Sequence, residues 1–349
     1  MNITIKDKEV AVKEGQTVLQ VARENGIYIP SLCYHPRTGP AGKCRVCVVE
    51  VEGMAGLHTA CTLTVREGMK VITDSENVLE AQKLVVNLLL STGKHDCLSC
   101  EQNGICELQD VAYYLGIETP AFHMAGVEAE IDDSSEFVYR EHAKCIQCGR
   151  CIAGCNGTVV NEVLDFGYRG HETKVICDND VPMGNSTCVQ CGECVQLCPT
   201  GAIIDKLGRG KGRPWETHKV QTTCGYCGVG CQIDLHVKDN EVIAITGREG
   251  VGPNFGSLCV KGRYGYHFLN DPGRLKTPLI RTNGSFQEAS WDEALDLVAE
   301  SLNRIKKESG PDAIGVFSSA RITNEENYLV QKFARATIGT NNVDHCARL

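Results

Sequence analysis

The sequence predicts an α+β chain built of several small domains, and three observations carry that expectation. The 21 cysteines of the 349 residues fall mostly in tight groups rather than scattered pairs. Near the N-terminus apolar and polar residues alternate, the pattern of paired strands. From Ser290 the texture changes to capped helices around a short apolar run, the opening of an α/β layer. Length alone suits roughly two or three domains of ~100–200 residues. The cysteine groups ask for more and smaller ones, in which bound metal makes up for a thin core.

Composition narrows the class. The net charge is −9 with a pI near 5.6, and no basic block stands out, so nothing in the charge pattern points to a nucleic-acid partner. No apolar run approaches the ~18 residues of a membrane span. The opening MNITIKDKEV goes straight into strand-like alternation, with no charged-then-apolar leader and no twin arginine. Three thiols spaced C-x-x-C-x-x-C are too close for long-range disulfides and suit one metal centre. A reducing cytoplasm is the expected location.

In chain order, Ile3, Ile5, Val10 and Val12 alternate across a Lys6-Asp7-Lys8 turn, as in a hairpin. Thr17 caps a short helix carrying Val18, Leu19, Val21 and Ala22 and ending at Asn25-Gly26. Gly39 and Gly42 flank the first cysteines, where backbone must wrap closely. Residues 75–92 read as an amphipathic helix with Val78, Leu79, Val85, Val86, Leu89 and Leu90 on one face and Gly93 at C′. A double cysteine repeat runs from Glu141 to about Gly210. Gly208 to Pro214 reads as a linker, and another cysteine domain extends from His218 to Asn270. Ser290-Trp291-Asp292-Glu293 is a capping box. It opens a helix with Trp291, Ala294, Leu295, Val298, Leu302 and Ile305 on one face, stopped by Gly310-Pro311. Ala313 to Phe317 reads as a buried strand. A second capping box, Thr323 to Glu326, opens a helix to about Ile338. The expected boundaries are 1–78, 79–120, 136–210, 217–273 and 274–349.

The cysteine spacings carry the chemistry. Cys145, Cys148, Cys151 and Cys155, then Cys188, Cys191, Cys194 and Cys198-Pro199, form the two-cluster bacterial ferredoxin pattern. A short loop presents three thiolates to one cube, and the fourth cysteine, a helical turn on, reaches the other. One [4Fe–4S] centre should take Cys145, Cys148, Cys151 and Cys198, and the other Cys155, Cys188, Cys191 and Cys194. Asn156 stands where a proline is usual. Cys33, Cys44, Cys47 and Cys61 fit a [2Fe–2S] centre with a longer first gap than plant-type ferredoxins have. Cys97, Cys100 and Cys106 form a third group behind His95. A fourth comprises Cys224, Cys227, Cys231 and Cys259, followed by Val260-Lys261-Gly262. Spacing alone leaves zinc a competitor there. Cys177 and Cys346 are left over. Cys177, beside Val175 and Ile176, reads as a buried small hydrophobe.

These groups together resemble known families. The long-gap β-grasp domain resembles the N-terminal domain of the large iron–sulfur subunit of respiratory complex I, of [FeFe]-hydrogenases and of NAD-linked formate dehydrogenases. The resemblance implies a [4Fe–4S] centre on His95, Cys97, Cys100 and Cys106. In those families the histidine stands further upstream, at the place of Gly93. A neutral imidazole in place of a thiolate should raise that centre's potential. The Cys224–Cys259 group and its surroundings resemble the N-terminal cluster domain of the molybdenum/tungsten bis-pterin oxidoreductases. There a lysine lies between cluster and pterin, and Lys261 takes that place as an electron relay. The implied architecture is a β-grasp ferredoxin domain, a His/Cys cluster domain, a 2×[4Fe–4S] ferredoxin domain, a small iron–sulfur domain and the start of an α/β pterin-binding domain.

Residues Asn342 to Leu349 resemble the approach to the active site of molybdopterin formate dehydrogenases, where the next residue is selenocysteine or cysteine. The resemblance implies a fragment truncated at a UGA codon. The catalytic metal ligand would come immediately after Leu349, and residues 1–349 alone would not turn over formate. An in-frame UGA and then a histidine codon are the expected reading past codon 349; any other stop would refute it. The implied function is formate/CO2 interconversion coupled to NAD or ferredoxin. It would use one [2Fe–2S] and four [4Fe–4S] centres, with a Mo or W bis-molybdopterin guanine dinucleotide in the full-length protein. Electrons are expected to run from the Cys224 centre through the ferredoxin pair and the His95 centre to the [2Fe–2S] centre. Implied partners are a flavin/NAD-binding iron–sulfur subunit and a small [2Fe–2S] subunit, with ferredoxin or a hydrogenase as others. The alternative is a dedicated electron-carrying subunit of a complex I-like or hydrogenase assembly.

Overall fold

A computed structural model describes residues 1–123 and 130–347, in two units, Met1–His218 and Lys219–Leu349. Arg348 and Leu349, on which the active-site resemblance partly rests, lie outside the described residues.

The first unit opens on strands β1 (Asn2–Ile5) and β2 (Lys8–Ala11), helix α1 (Val18–Glu24), and strands β3 (Val48–Val51), β4 (His58–Thr59) and β5 (Lys70–Ile72). The expected hairpin forms: Ile3 pairs with Val10 and Ile5 with Lys8. Lys6 and Asp7 turn it with φ of 48° and 61°, both left-handed as in a type I′ turn. The sheet order is β2-β1-β5-β3-β4. β5 runs parallel to β1, a pairing across the domain that local pattern does not reveal. Thr17 and Gln20 form a reciprocal capping box on α1, whose buried Val18, Leu19, Val21 and Ala22 join the strand residues in one core.

Helix α2 (Glu76–Ser91) is capped by Ser75 and followed by α3 (Glu107–Tyr114). Buried Gln82 donates to the Val48 carbonyl at 3.1 Å, tying α2 to β3. Gly93 follows the C-cap, Thr92, but it is not among the residues with positive φ. It is needed for space instead: a Cβ there would stand 2.7 Å from the Ala143 carbonyl oxygen.

β6 (Ile131–Asp132) and β7 (Val138–Glu141) precede the cysteine repeat. The repeat contains α4 (Arg150–Ala153), the hairpin β8 (Leu164–Gly167) and β9 (Lys174–Cys177), α5 (Glu193–Leu197) and β10 (Ile203–Asp205), which returns to pair with β7. The repeat is visible in the backbone. Gln147 and Gly149 have φ of 53° and 79°, and Gln190 and Gly192 have 53° and 72°, so each loop makes the same pair of left-handed turns before its helix. Gly208–Pro214 is no free linker. Asp205 accepts from the Leu207 and Gly208 amides. Arg209 stacks over Tyr139. Arg213 donates to the carbonyls of Cys100 and Leu98 at 2.6 and 3.1 Å. Guanidinium groups satisfy carbonyls left over by irregular backbone, so this stretch braces the Cys97–Cys106 loop.

The second unit carries the sheet β11-β12-β13 (His218–Thr223, Gln232–Lys238, Glu241–Gly247), helices α6 (Val260–Tyr264) and α7 (His267–Asn270), and the hairpin β14 (Leu279–Thr282) and β15 (Ser285–Glu288). Then come α8 (Trp291–Ser309), β16 (Val316–Ser318), α9 (Asn324–Lys332) and β17 (Val343–His345). Both capping boxes form, at Ser290 and Thr323, and a π-helical turn extends α9 through Ile338. β16 and β17 are parallel, Val316 opposite Val343, so β16-α9-β17 is a crossover unit, the seed of a parallel α/β sheet. The expected burial of Ala313–Phe317 does not hold: Phe317 is 86% exposed and only Ile314 is buried. Among the described residues β16 pairs with β17 alone, so nothing packs over its outer face. The apolar stripe of α8 is likewise open, with Trp291 and Val298 exposed.

Candidate iron–sulfur centres

Cys33, Cys44, Cys47 and Cys61 are all buried, carried by the loop after α1, the start of β3 and the segment after β4. The Cys44 amide donates to Cys33 Sγ at 3.5 Å. The thiols of Cys44 and Cys61, with the backbone amides of Cys44 and Lys43, hold Cys33 well below the usual thiol range. The Cys61 thiol lowers Cys47 in the same way. Cys44 and Cys61 are pushed up by the neighbouring thiols and by burial. A buried set in which two thiols are shifted toward the thiolate fits a metal centre, because thiolate is the ligand form.

The repeat cysteines interleave. Burial first, then the charges of Cys198 and Cys145, pushes the Cys148 thiol up to about 12. Burial, opposed by the Gln147 amide and reinforced by Cys198, puts Cys145 at about 11. Cys151 is raised by burial and then by Cys148, Cys145 and Cys198. In the other set, burial raises Cys194, and Cys191, Cys188 and Cys155 act on it next. Cys198 thus stands with the first loop and Cys155 with the second, across the repeat. The Gln147 amide donates to Cys145 Sγ at 3.4 Å and the Gln190 amide to Cys188 Sγ at 3.3 Å, equivalent N–H···S bonds that would stabilise the reduced form of a bound centre and raise its potential. Buried Arg140 donates to Cys177 Sγ at 2.9 Å, so Cys177 is a hydrogen-bonded core thiol, raised by burial to about 11.

His95, Cys97, Cys100 and Cys106 line one pocket with Lys144, Thr200 and Gly201. The His95 ring bonds to the backbone of Leu89 and Leu90 at the end of α2, and burial lowers its pKa. Its Nε2 is buried with no hydrogen-bond partner. A neutral ring anchored on one side with a bare nitrogen on the other is the state of a metal-ligating histidine. A Cβ at Gly201 would come within 2.6 Å of Cys100 Sγ, so backbone closes around this thiol. The short spacing noted in the sequence does not keep His95 from the group.

In the second unit, Cys224 follows β11, Cys231 leads into β12 and Cys259 caps α6. Burial raises Cys231, with the charges of Cys224, Cys227 and Cys259 behind it, so the four thiols form one set. Lys261 is exposed. Cys346 is exposed in the turn after β17, 3.8 Å from Ser319 Oγ. Among the described residues no three His, Cys, Asp or Glu side chains converge to hold a single metal ion; the thiols form looser sets.

One apolar core joins three sets. Cys33, Cys44, Ile146, Cys148 and Leu108 are buried in it, and Cys106 packs at its edge. A Cβ on Gly149 would lie 3.4 Å from Lys43 Nζ, and the Glu107 amide donates to the Pro199 carbonyl at 3.0 Å. The Cys145 set therefore neighbours both the [2Fe–2S] candidate and the His95 set. That differs from the single file expected, in which the His95 centre came between. Sequence reading also missed two ion pairs, Arg150 with Glu107 and Arg37 with Glu193. Only aligning the two repeats would have shown that Arg150 and Glu193 occupy equivalent positions.

Cysteine-lined modules followed by an α/β crossover define a multi-centre iron–sulfur oxidoreductase chain. Comparison with known families agrees along the sequence. Residues 1–76 match the 2Fe-2S iron-sulfur cluster binding domain, and 82–121 the NADH-ubiquinone oxidoreductase-G iron-sulfur binding region. Residues 144–202 match the 4Fe-4S dicluster domain, 217–271 the molybdopterin oxidoreductase Fe4S4 domain, and 274–349 molybdopterin oxidoreductase. The chain thus carries, in this order, a 2Fe-2S domain, an NADH-ubiquinone oxidoreductase-G iron-sulfur region, a 4Fe-4S dicluster domain, a molybdopterin oxidoreductase Fe4S4 domain and a segment of a molybdopterin oxidoreductase domain. It is 34% identical to the putative formate dehydrogenase YrhE of Bacillus subtilis (strain 168), over 100% of this chain and 40% of that protein. It is 36% identical to the NADPH-Fe(3+) oxidoreductase subunit alpha of Geobacter sulfurreducens (strain DL-1 / KN400), again over 100% and 40%. A chain of an NAD+-reducing [NiFe]-hydrogenase in the H2-reduced state aligns with a TM-score of 0.55 at 30% identity, over 59% of this chain and 87% of that one. The chain thus spans about two fifths of the length of the curated relatives it matches. Among the described residues no helix is long and apolar enough to cross a membrane.

Proposed function

We propose that this chain is the electron-carrying region of a cytoplasmic formate dehydrogenase alpha subunit, serving formate/CO2 interconversion at a Mo or W bis-pterin centre. The observation behind it is the joining of two unlike parts: complex I-like cysteine sets in the first unit, and the Cys224–Cys259 set with the β16-α9-β17 crossover in the second. A chain needing only to pass electrons has no use for the crossover. The ligand sets are Cys33, Cys44, Cys47 and Cys61 for a [2Fe–2S] centre, and His95 with Cys97, Cys100 and Cys106 for a [4Fe–4S] centre. Cys145, Cys148, Cys151 and Cys198 hold a second [4Fe–4S] centre, Cys155, Cys188, Cys191 and Cys194 a third, and Cys224, Cys227, Cys231 and Cys259 a fourth. When bound, such centres supply one-electron storage and release. The protein's part is to exclude water by burial, to aim the Gln147 and Gln190 amides at sulfur and to keep His95 neutral. Lys261 is assigned the relay position toward the pterin. A flavin/NAD-binding subunit, a small [2Fe–2S] subunit and ferredoxin are the partner classes.

The test uses the protein purified anaerobically from its own cells with whatever accompanies it. Formate bleaching the iron–sulfur absorption is the expected result. Bleaching by NADPH with none by formate would transfer the reading to that of the Geobacter relative. The likeness to the hydrogenase chain favours a second reading, an electron-carrying subunit of a hydrogenase or complex I-like assembly, for which hydrogen or NADH, and not formate, would bleach it.

A further inference from the structure

Two buried charges occupy the same place in the two cysteine loops. The loops read Cys148-Gly149-Arg150-Cys151 and Cys191-Gly192-Glu193-Cys194. In each, the glycine takes a left-handed turn, φ 79° and 72°, and the next residue starts a helix with its side chain directed inward. The Arg150 and Glu193 side chains are 2% and 1% exposed. A buried charge is tolerated only with a partner, and each partner comes from a different module. Arg150 forms a two-pronged pair with Glu107, the residue after Cys106, at 2.5 and 2.7 Å. Glu193 pairs with Arg37, in the loop between Cys33 and Cys44.

We infer that Arg150 and Glu193 are positioning residues, opposite in charge, that fix two different neighbours on the ferredoxin-like domain, each through an ion pair from its own cysteine loop. Arg150 receives the His95 module through Glu107, and Glu193 receives the [2Fe–2S] loop through Arg37. The opposite signs make the pairings non-exchangeable: if the modules changed places, Arg150 would face Arg37 and Glu193 would face Glu107, two buried like-charge contacts. A single polar contact that selects one register over another is the best-attested use of a buried ionic group. The pairs also differ in what they present to the sulfurs. Arg150 sits within the Cys148–Cys151 loop itself and Glu107 approaches it from another module, so the cationic partner of that pair belongs to the first loop.

The inference rests on the proposed iron–sulfur ligation, and the experiment separates the two. The full chain is reconstituted anaerobically with iron and sulfide, its iron is counted, and the reduced protein is read by electron paramagnetic resonance. Glu107→Gln, at a half-exposed position, should weaken the magnetic interaction between the His95 centre and the Cys145 centre and leave that of the [2Fe–2S] centre intact. Arg37→Gln should do the reverse. The swap R150E/E107R should recover the interaction lost in R150E alone, and it should lower the midpoint potential of the Cys145 centre, since the anionic partner then lies within the Cys148–Cys151 loop. Mere packing would not move that potential. A wild-type chain that takes up no iron would sink the ligation and this inference together. Full iron uptake with both single variants disturbing both interactions, or with no potential change in the swap, would overturn the inference alone.

Discussion

The Nε2 of His95 lies 2.8 Å from the position a Cβ on Gly93 would take. The ring is held against the end of α2 by the Leu89 and Leu90 backbone, so it cannot move aside without losing that anchor. Gly93→Ala is therefore expected to turn His95 out of its pocket. In the reconstituted chain this should remove about four irons, one [4Fe–4S] centre, and leave the other centres. His95→Cys should keep the iron but lower that centre's potential, because a thiolate adds a negative charge that imidazole lacks. A redox titration in which H95C matches wild type would argue against His95 as a ligand.

Interleaving of the repeat cysteines makes a second expectation. Cys198→Ala should damage the centre held by Cys145, Cys148 and Cys151, and spare the one held by Cys188, Cys191 and Cys194. Cys155→Ala should do the opposite. Spectra showing each variant damaging the loop nearest in sequence would refute the crossed arrangement.

The bracing of the Cys97–Cys106 loop is open to direct measurement. Arg213→Ala removes the donors to the Cys100 and Leu98 carbonyls. Charge-assisted bonds of this kind contribute about 1.5–3 kcal/mol. Amide hydrogen exchange in residues 97–106 should accelerate by roughly 10- to 100-fold, while exchange in β1 to β5 stays unchanged. Equal exchange in variant and wild type would mean the loop is held by other contacts.

His142 sets an acid limit. Burial, then the Arg140 and Lys174 cations, lower its pKa to about 4, against roughly 6.5 in an unfolded chain. Between those values the unfolded chain binds a proton that the folded chain does not, so stability is complete above about pH 6.5 and falls as pH drops toward 4. The ring is only partly buried, so the loss is discounted to about 1–2 kcal/mol. Urea unfolding at pH 7 and pH 5 should show a smaller drop for His142→Gln than for wild type. Both proteins share any acid lability of the clusters, so the difference isolates His142; equal drops would exclude it.

Much of the chain was legible before its coordinates. The hairpin at Lys6-Asp7, the cap at Thr17, the two capping boxes at Ser290 and Thr323, and the paired Cys loops all depend on residues within a few positions of one another. Their geometry follows from local φ preferences and short hydrogen bonds. The errors came where burial decides. Ala313–Phe317 had the composition of a core strand, yet the two-stranded β16–β17 sheet leaves Phe317 in solvent. Gly208–Pro214 had the composition of a linker, yet its arginines found aromatic and carbonyl partners in other segments.

What the sequence by itself determined is therefore the chemistry: which residues are thiols, their spacing in loops, and hence the class of centre each loop can hold. Only the tertiary structure decided which loops lie side by side. Glu107 meets Arg150 across 43 residues and Arg37 meets Glu193 across 156, and neither charge is marked as buried by its neighbours in sequence. Cys148 enters one core with Cys33 and Cys44 for the same reason. Burial and long-range pairing are properties of the packed whole, whereas ligand spacing is a property of a loop.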